Sequence, residues 1–519
     1  MNGRTKKKGT DIGKIGDILV NIADNIISVV RYRYFTWGTI TDINCIDSSL
    51  NYGFFLPFLA RKSPEFAPEC LKGALCALLT TMPRTLHTMW LTVYPSSGAH
   101  DFEHCKNSVK QWASSSLRSD NKNAHILKDL LFFLHVPRTG GRTYFHCFLK
   151  KLYSSDLECP RSYDKLRFDP QKPNCRLLAT HDDYSMMSKL PKEQTSVVTI
   201  LRDPVERVFS TYEFSVEVAA RFLVHPNLTS VIRMSKRVRS KSGGISTLEI
   251  WPWKYLVPWM REDLFSRRDA RKKRGPPSFY GNDSYDMEEV VMPLHDYINH
   301  PVALDLVHNG ATFQVAGLTN NSNIREAHEV RRCVITHPIL GKYVLEVAKK
   351  RLDDMLYVGI TEDHRESATM FANVVGAQVI SQLITSAANN SNTTEQDPPL
   401  SDSSIDATDD QGNSSSTTEA KSENMTVGKL MENYETCISS LRSSQSQRRT
   451  ASLKKVSPAN FTKEARRRVP ENALKEIISL NSLDMELYKY AKEIFQKKHQ
   501  IMERKLHDSA TPVSFHFFL

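Results

Sequence analysis

The sequence predicts an α/β protein with a central parallel sheet covered by helices on both faces. Units of a strand followed by a helix recur along the chain, and their strands are continuous apolar runs. Such runs are typical of strands buried on both faces, as in parallel sheets. The chain has 519 residues, 40% of them hydrophobic, enough for one large domain with additions or for two domains.

The first unit begins with the apolar run 130–136, which predicts a strand. After a turn with two glycines, apolar residues recur at the spacing of one helical face, at Phe145, Phe148, Leu149 and Leu152.

The second unit has a strand at 196–201. Three signals then predict a helix: Asp203 as N-cap, Pro204 at the first helical position, and Glu206 reaching back to the cap. Its apolar face is Val205, Val208, Phe209 and Tyr212.

A third unit is expected with a strand at 355–360, followed by a helix through Ala368, Phe371 and Val375. Further along, a helix is expected near 429–442. Another is expected from Pro470 to about Lys505, with one apolar face formed by Leu480, Leu483, Leu487 and Tyr490.

These patterns divide the chain into five segments. Residues 1–100 show no steady period, and 386–424 are rich in Ser, Thr, Asn and Asp, which predicts a disordered linker or insertion. We expect a catalytic domain at 101–385, a C-terminal helical part of that domain at 425–505, and a tail at 506–519.

The strongest motif is His135-Val-Pro-Arg-Thr-Gly-Gly-Arg-Thr143, between the first strand and its helix. Ligands of open parallel sheets bind at this edge. Glycines let the backbone approach an anion, and the helix N-terminus adds positive potential. The motif is not a Walker A loop, which disfavours a nucleoside triphosphatase. The alternative is a plain turn, without the ligand-binding role of its charged and hydroxyl side chains, Arg138, Thr139, Arg142 and Thr143.

A second basic position follows the 196–201 strand. Arg202 ends that strand and Ser210 lies two turns into the next helix, so both can face the same crevice. A guanidinium and a hydroxyl suit a terminal phosphate. The alternative is a surface ion pair of Arg202 with Asp203 or Glu206.

The strand–HVPRTGGRTY and strand–LRDPVERVFSTY segments resemble the two phosphate-binding elements of PAPS-dependent sulfotransferases, where PAPS is 3′-phosphoadenosine 5′-phosphosulfate. Segments such as TYEFSVEVAARFLVHPNLTS and WPWKYLVPWMREDLF resemble the plant tyrosylprotein sulfotransferases, in the heparan sulfate 6-O-sulfotransferase-like branch. The resemblance covers about 101–505. It implies a P-loop-like sulfotransferase fold and transfer of a sulfuryl group from PAPS to the phenol of tyrosine in acidic, secreted peptide precursors.

The resemblance also implies roles for the motif residues. The 5′-phosphosulfate would be held by Arg138, Thr139, Gly140, Gly141, Arg142 and Thr143, and the 3′-phosphate by Arg202 and Ser210. The glycan enzymes usually have Lys at position 138, and Arg cannot easily donate a proton. We therefore expect Arg138 to stabilise charge on the bridging oxygen.

His181 is the expected general base, since it follows the short strand 176–180 and related glycan enzymes use a His in a similar place. Asp182 and Asp183 could orient its imidazole or cap the next helix. His135 is a second candidate, which we expect to pack beneath the loop. No metal-ligand cluster is visible, and none is needed for this chemistry.

Acceptor recognition has fewer signals. The basic run 267–274 could steer an acidic peptide or glycan, or be a solvated loop. Trp251 and Trp253 could stack on a ring of either substrate or pack in the core. A glycan O-sulfotransferase and a non-catalytic PAPS-binding homologue are the alternative functions. We expect no nucleic-acid partner.

The resemblance implies a Golgi-lumenal type I membrane protein, although the hydropathy pattern shows neither a signal peptide nor a membrane span. The nine cysteines form no zinc-like pattern, and Cys159 and Cys175 could form a disulfide or remain free thiols. Glycosylation sequons point to a secretory compartment; they begin at Asn227, Asn282, Asn320, Asn389, Asn392, Asn413, Asn424 and Asn460.

Overall fold

The computed structural model describes residues 98–118, 124–154, 157–159, 175–242, 246–275, 283–390 and 425–510. The chain divides into two units, Met1–Pro95 and Ser96–Leu519, and every described residue belongs to the second unit. Nearly all of the predicted N-terminal extension and linker, and most of the tail, lie outside the described residues.

A four-stranded, fully parallel sheet forms the centre, in the order β2-β1-β3-β4. All residues of its strands are buried, as the continuous apolar runs predicted. The first strand ends at Leu134, two residues before the end of the apolar run 130–136. The His135 N–H makes a last bond to the Thr180 carbonyl (2.9 Å), and the chain then turns away at Val136. The strands are β1 (Leu130–Leu134), β2 (Leu177–Thr180), β3 (Thr195–Leu201) and β4 (Tyr357–Ile360).

Helices surround the sheet. A π-helical turn, Phe145–Leu149, lies between α2 (Gly141–Tyr144) and α3 (Lys150–Leu152). The four apolar residues of the predicted helical face are all buried: Phe145, Phe148, Leu149 and Leu152. The first helices are α1 (Gly98–Leu117), α2 (Gly141–Tyr144), α3 (Lys150–Leu152), α4 (Pro204–Arg221), α5 (Leu228–Ser242) and α6 (Trp253–Arg274).

In the second half of the described chain, the regular elements are helices apart from β4. Its helices are α7 (Leu294–Asn299), α8 (Leu304–Val307), α9 (Gly310–Val315), α10 (Ala327–Thr336), α11 (Gly341–Asp353), α12 (His364–Phe371), α13 (Ala377–Asn390), α14 (Val427–Leu453), α15 (Lys463–Arg467), α16 (Glu471–Leu480) and α17 (Ser482–Ala510).

The start of α4 is capped as predicted, with one exception. The Asp203 side chain accepts the Glu206 N–H (3.1 Å), and Pro204 occupies the first helical position. The prediction that Glu206 reaches back to the cap was wrong: its carboxylate pairs with Arg202 and Arg466 instead. Two guanidinium groups hold a carboxylate more strongly than one backbone N–H does.

The predicted helix from Pro470 is two helices, because the chain breaks at Asn481. The buried Asn481 side chain donates to the carbonyls of Val307 (2.7 Å) and Ile477 (2.9 Å). The prediction of a single apolar face from Leu480 to Leu487 was therefore wrong. Leu480 packs with the hydrophobic cluster around α4 and α6, and Leu487 lies in the cluster around the sheet.

Disulfides join distant parts of the chain. The pairing of Cys159 with Cys175, open from the sequence, is present. Two further bridges, Cys105–Cys333 and Cys147–Cys437, were not predicted, because each closes more than 200 residues of chain. The Cys147–Cys437 bridge ties the π-helical turn, which follows the glycine loop (residues 138–143), to α14. The other three cysteines lie outside the described residues.

One helical run among the described residues, His364–Thr385, is long and apolar enough to cross a membrane by length and composition alone. Its residues Ala368, Met370, Phe371 and Val375 are fully buried in the core beside the sheet.

Candidate active site

The residue immediately after each of the four strands lies at one edge of the sheet. These residues are His135, His181, Arg202 and Thr361. Parallel strands end at the same edge, which is where open α/β sheets bind their ligands. Sequence reasoning singled out the first three and missed Thr361, although the same rule points to it.

The glycine loop is held in an uncommon backbone conformation at this edge. Arg138 has φ of 69° and Gly140 has φ of 84°, in the left-handed region. The Thr139 hydroxyl donates to the Val136 carbonyl (2.9 Å), and Thr361 Oγ1 donates to the Thr139 carbonyl (2.7 Å). Positive φ in a residue other than glycine costs free energy unless neighbours hold it. The side chain that follows β4 thus fixes the loop that follows β1.

Gly141 is required by close packing. A Cβ atom at this position would overlap the imidazole ring of His135 and approach the ring of Phe133. The His135 ring stacks on Phe133 (5.4 Å between centroids) and on His181 (4.2 Å). His135 therefore lies beneath the loop, where the sequence placed it.

The Arg138 side chain lies on the wall of the site formed by α4. Its Nε donates to the Ser210 hydroxyl (3.0 Å), and its guanidinium carbon lies 4.3 Å from the centre of the Phe214 ring. Burial and the nearby charge of Arg202 lower the pKa of Arg138 to about 10. It remains a cation at neutral pH.

Two groups that the sequence assigned to different phosphates are thus in contact, since Arg138 was assigned to the phosphosulfate and Ser210 to the 3′-phosphate. The other loop residues differ in exposure, and Thr139 is buried. Arg142 is exposed, and the Thr143 N–H donates to the Gly140 carbonyl (2.9 Å), which begins α2.

Arg202 contacts two carboxylates and the backbone of the glycine loop. It forms an ion pair with Glu206 (3.2 Å), as the surface alternative expected, and its Nε lies 3.8 Å from a Glu362 carboxylate oxygen. It also donates to the Arg138 carbonyl (3.3 Å), so it braces the loop at the point of positive φ. Only 19% of its side chain is exposed.

Behind Arg202 lies a charge network that the sequence did not reveal. Arg466, on α15, pairs with Glu206 and with the buried Glu213 (2.7 Å), and Arg449 on α14 also binds Glu213 (3.0 Å). Although burial raises the pKa of Glu213, bonds from Arg466 and Arg449 outweigh it and lower that pKa. Because the partners are about 240 residues apart, no local pattern could have found them.

His181 lies on the other side of the site, against the β1 loop. Its Nδ1 is 2.8 Å from the His135 carbonyl oxygen. A carbonyl only accepts, so Nδ1 carries the hydrogen and the lone pair of the neutral ring is on Nε2. Burial and the charge of Arg138 outweigh the bond to the His135 carbonyl and lower the pKa of His181 to about 4.

The two aspartates after His181 serve the backbone and side chains around them. Asp183 caps the following 3₁₀ turn, Tyr184–Lys189, by accepting the Ser185 N–H (3.0 Å). Asp182 accepts bonds from Thr180 (2.8 Å) and Asn321. Capping is thus the role that the structure supports for Asp183.

Gln314 on α9 is a site residue that sequence reasoning missed. Its amide nitrogen donates to the His181 carbonyl (2.8 Å) and lies 3.3 Å from the carbonyls of His135 and Asp182. The side chain is 1% exposed. It therefore joins the chain segments that carry the two histidines, and no motif marked it.

The two tryptophans are packed in the protein, each 3% exposed. Trp253 meets the Phe214 ring edge-on (4.7 Å between centroids) and lies 6.4 Å from the His181 ring. Trp253 thus contributes to the wall of the site. The basic run 267–274 is the last part of α6 instead of a loop, with Arg267 paired to Asp263 (2.9 Å).

Among the described residues, one group has ligand atoms close enough to hold a metal ion: Asp101, Cys105 and His337. The Cys105 sulfur is bonded to Cys333, and His337 is paired with Asp101 (3.0 Å). Asp101 and Cys105 lie on α1, and His337 follows α10, so this group is separate from the residues that follow the strands.

Comparison with known proteins agrees with this geometry. No protein-family model matches the chain. Over 420 residues it is 62% identical to the protein-tyrosine sulfotransferase of Arabidopsis thaliana, covering 79% of this chain and 84% of that protein. The chain belongs to the protein-tyrosine sulfotransferase family. It is therefore a transferase, and the glycan-modifying and non-catalytic alternatives are not favoured.

Proposed function

We propose that this sulfotransferase moves a sulfuryl group from PAPS to the phenolic oxygen of tyrosine in peptide or protein precursors with acidic residues near the tyrosine. One observation supports this above the others. The edge of the sheet brings a glycine loop with a cationic Arg138 next to a neutral His181 whose lone pair is on Nε2.

In this proposal, the loop 138–143 holds the 5′-phosphosulfate and Arg202 with Ser210 holds the 3′-phosphate. The Thr361 bond that fixes the loop would keep its amides in place before the donor arrives. Such preorganised donors stabilise developing charge at little reorganisation cost. Arg138 and Ser210 would exchange their mutual bond for oxygens of the donor.

The transfer breaks the bond between sulfur and the bridging oxygen of the 5′-phosphate and forms a bond between sulfur and the phenolic oxygen. Adenosine 3′,5′-bisphosphate leaves with the bridging oxygen, and Arg138 stabilises the charge that develops there. The phenolic proton passes to His181 Nε2 as the new bond makes that oxygen acidic.

We also propose that the protein works in the lumen of the secretory pathway, in the Golgi. Three disulfides join the described residues, and such bonds persist in oxidising compartments. Sequon residues Asn227, Asn320 and Asn460 are exposed, as glycosylation requires. A membrane anchor, as the family resemblance implies, is part of this proposal.

The test incubates the full chain with sulfur-labelled PAPS and, in separate tubes, an acidic tyrosine peptide, its phenylalanine version and desulfated heparan sulfate. We expect label on the tyrosine peptide alone. His181→Ala should lower kcat by roughly 10²- to 10⁴-fold, the usual contribution of a general base. His225→Ala, which changes a histidine four residues after the end of α4, is the matched control.

Binding of adenosine 3′,5′-bisphosphate should be unchanged in His181→Ala. Label on the glycan alone would assign the chain to a glycan acceptor. Retained nucleotide binding without label on any acceptor would contradict the proposed transfer.

A further inference from the structure

Helix α5 (Leu228–Ser242) has a charge pattern that the site does not use. It carries five basic residues and no acidic residue. The basic residues are Arg233, Lys236, Arg237, Arg239 and Lys241. Such a helix has a positive potential along its length that favours anionic partners.

Most of α5 faces solvent. Only Val231 and Ser235 are buried within its described part, and they lie on one side. At about 100° per residue, Arg233 and Lys236 point away from that side, and both are exposed. Ile232, which is 40% exposed, lies beside this basic face. The buried side attaches the helix, while the basic and apolar sides remain available.

The direction of α5 follows from the helices on either side of it in the chain. Trp253, at the start of α6, packs on Phe214 of α4 (4.7 Å), and Arg261 Nε donates to the Phe222 carbonyl (3.3 Å) after the end of α4. Helices α4 and α6 therefore run side by side in the same direction.

Helix α5 connects the far end of α4 to the near end of α6. Arg261 also donates to the His225 carbonyl, three residues before α5 begins. After α5, the chain reaches Ser246 and the 3₁₀ turn Thr247–Glu249 that leads into α6. Since Trp253 lies beside His181, α5 runs back toward the active site.

We propose that α5 binds the acidic residues that flank the acceptor tyrosine, which rests on the proposed tyrosine sulfation. At 1.5 Å per residue the helix is about 21 Å long. An extended peptide rises about 3.3 Å per residue, so about six residues would cover it. The exposed Ile232 would contact a side chain between the acidic ones.

Another basic segment of the described chain, at the end of α6, fits this role less well. Arg267 is paired with Asp263 (2.9 Å), and Arg268 with Asp269 (3.2 Å). Lys273 lies 20 residues beyond Trp253, about 30 Å along the helix axis. Lys273 and Arg274 are exposed, so they offer a matched control.

The experiment compares the full chain with Arg233→Glu/Lys236→Glu and with Lys273→Glu/Arg274→Glu, which carries the same change of charge. Each is assayed with labelled PAPS on a tyrosine peptide flanked by acidic residues and on one flanked by alanine and serine. We expect the α5 variant to raise KM for the acidic peptide roughly tenfold. Its kcat, its KM for PAPS and its KM for the neutral peptide should stay unchanged.

The rise in KM should shrink as salt is added, because exposed charges are screened. The proposal is overturned if both variants change KM for the acidic peptide equally, or if neither does. It is also overturned if the α5 variant keeps that KM but loses sedimentation with phosphatidylserine vesicles, since a membrane surface would then be the partner. Absence of label with the unaltered chain would instead overturn the proposed function.

Discussion

The two sides of the candidate site differ in how they treat charge. On the β1 and β2 side, His135 and His181 stack on each other, and burial lowers the pKa of both. On the β3 and β4 side, Arg202 meets two carboxylates, Glu206 and Glu362. One sheet edge therefore carries a neutral, proton-accepting side and an ionic side.

Arg138 lies where the two sides meet. Its carbonyl accepts from Arg202 and its guanidinium binds Ser210, while its charge lowers the pKa of the histidines. A sulfuryl transfer needs both environments: an anionic donor must be bound, and an uncharged base must accept a proton. Each side can be disrupted separately, which allows the division to be tested.

The largest effect on nucleotide binding is expected on the ionic side. Arg202→Ala should weaken binding of adenosine 3′,5′-bisphosphate by roughly 10- to 100-fold, because a hydrogen bond to a charged group contributes about 1.5–3 kcal/mol. Binding of adenosine 5′-phosphosulfate, which lacks the 3′-phosphate, should change much less. Isothermal titration calorimetry measures both.

Arg221→Ala is the control for that experiment, since Arg221 pairs with Glu217 (2.9 Å) at the other end of the helix that follows Arg202. If Arg202→Ala weakened the two nucleotides equally, its role would be to brace the loop, and the 3′-phosphate would bind elsewhere.

The next prediction concerns the neutral side. His181 acts as a base only when unprotonated, so activity should be lost as the pH falls through its pKa of about 4. An unperturbed histidine would lose it near pH 6.5, and at pH 5.5 the two cases differ by about tenfold in the neutral fraction. The measurement is kcat/KM from pH 4 to 8 with a neutral-flank peptide and subsaturating PAPS, which reports the free enzyme. An acidic limb near 6.5 would show that the base is not His181 in this environment.

Sequence patterns predicted those parts of the site that depend on local signals. Buried parallel strands are continuous apolar runs, so the positions of His135, His181 and Arg202 after strands followed from the order of apolar and polar residues alone. The helix caps at Asp203 and Asp183 follow from short-range chemistry in the same way.

Contacts between distant segments gave no such signal. Thr361 and Gln314 reach the loop from more than 170 residues away, and Arg466 reaches Glu213 across 253. The break at Asn481 depends on a carbonyl 174 residues earlier. These residues look like ordinary Thr, Gln, Arg and Asn in the sequence, and only packing gives them a role.

The smallest effect tests how the neutral side is held in place. Gln314→Leu keeps a similar volume but removes the donor shared by the carbonyls of His135, His181 and Asp182. One hydrogen bond contributes about 1 kcal/mol, so kcat should fall roughly fivefold. As Gln314 touches no phosphate-binding residue in these contacts, nucleotide affinity should not change.

A positioning role predicts more than a loss of rate. Burial is the largest cause of the lowered pKa of His181 and outweighs the bond to the His135 carbonyl, which raises that pKa. If Gln314 keeps the His181 segment packed, its loss should relieve this burial, and the acidic limb of the pH profile should move up from about 4. Gln378→Leu on α13, which removes a side-chain bond to the Val374 carbonyl (2.7 Å), is the control. A lower kcat with an unmoved acidic limb in Gln314→Leu would mean that Gln314 supports the fold without setting the environment of the base.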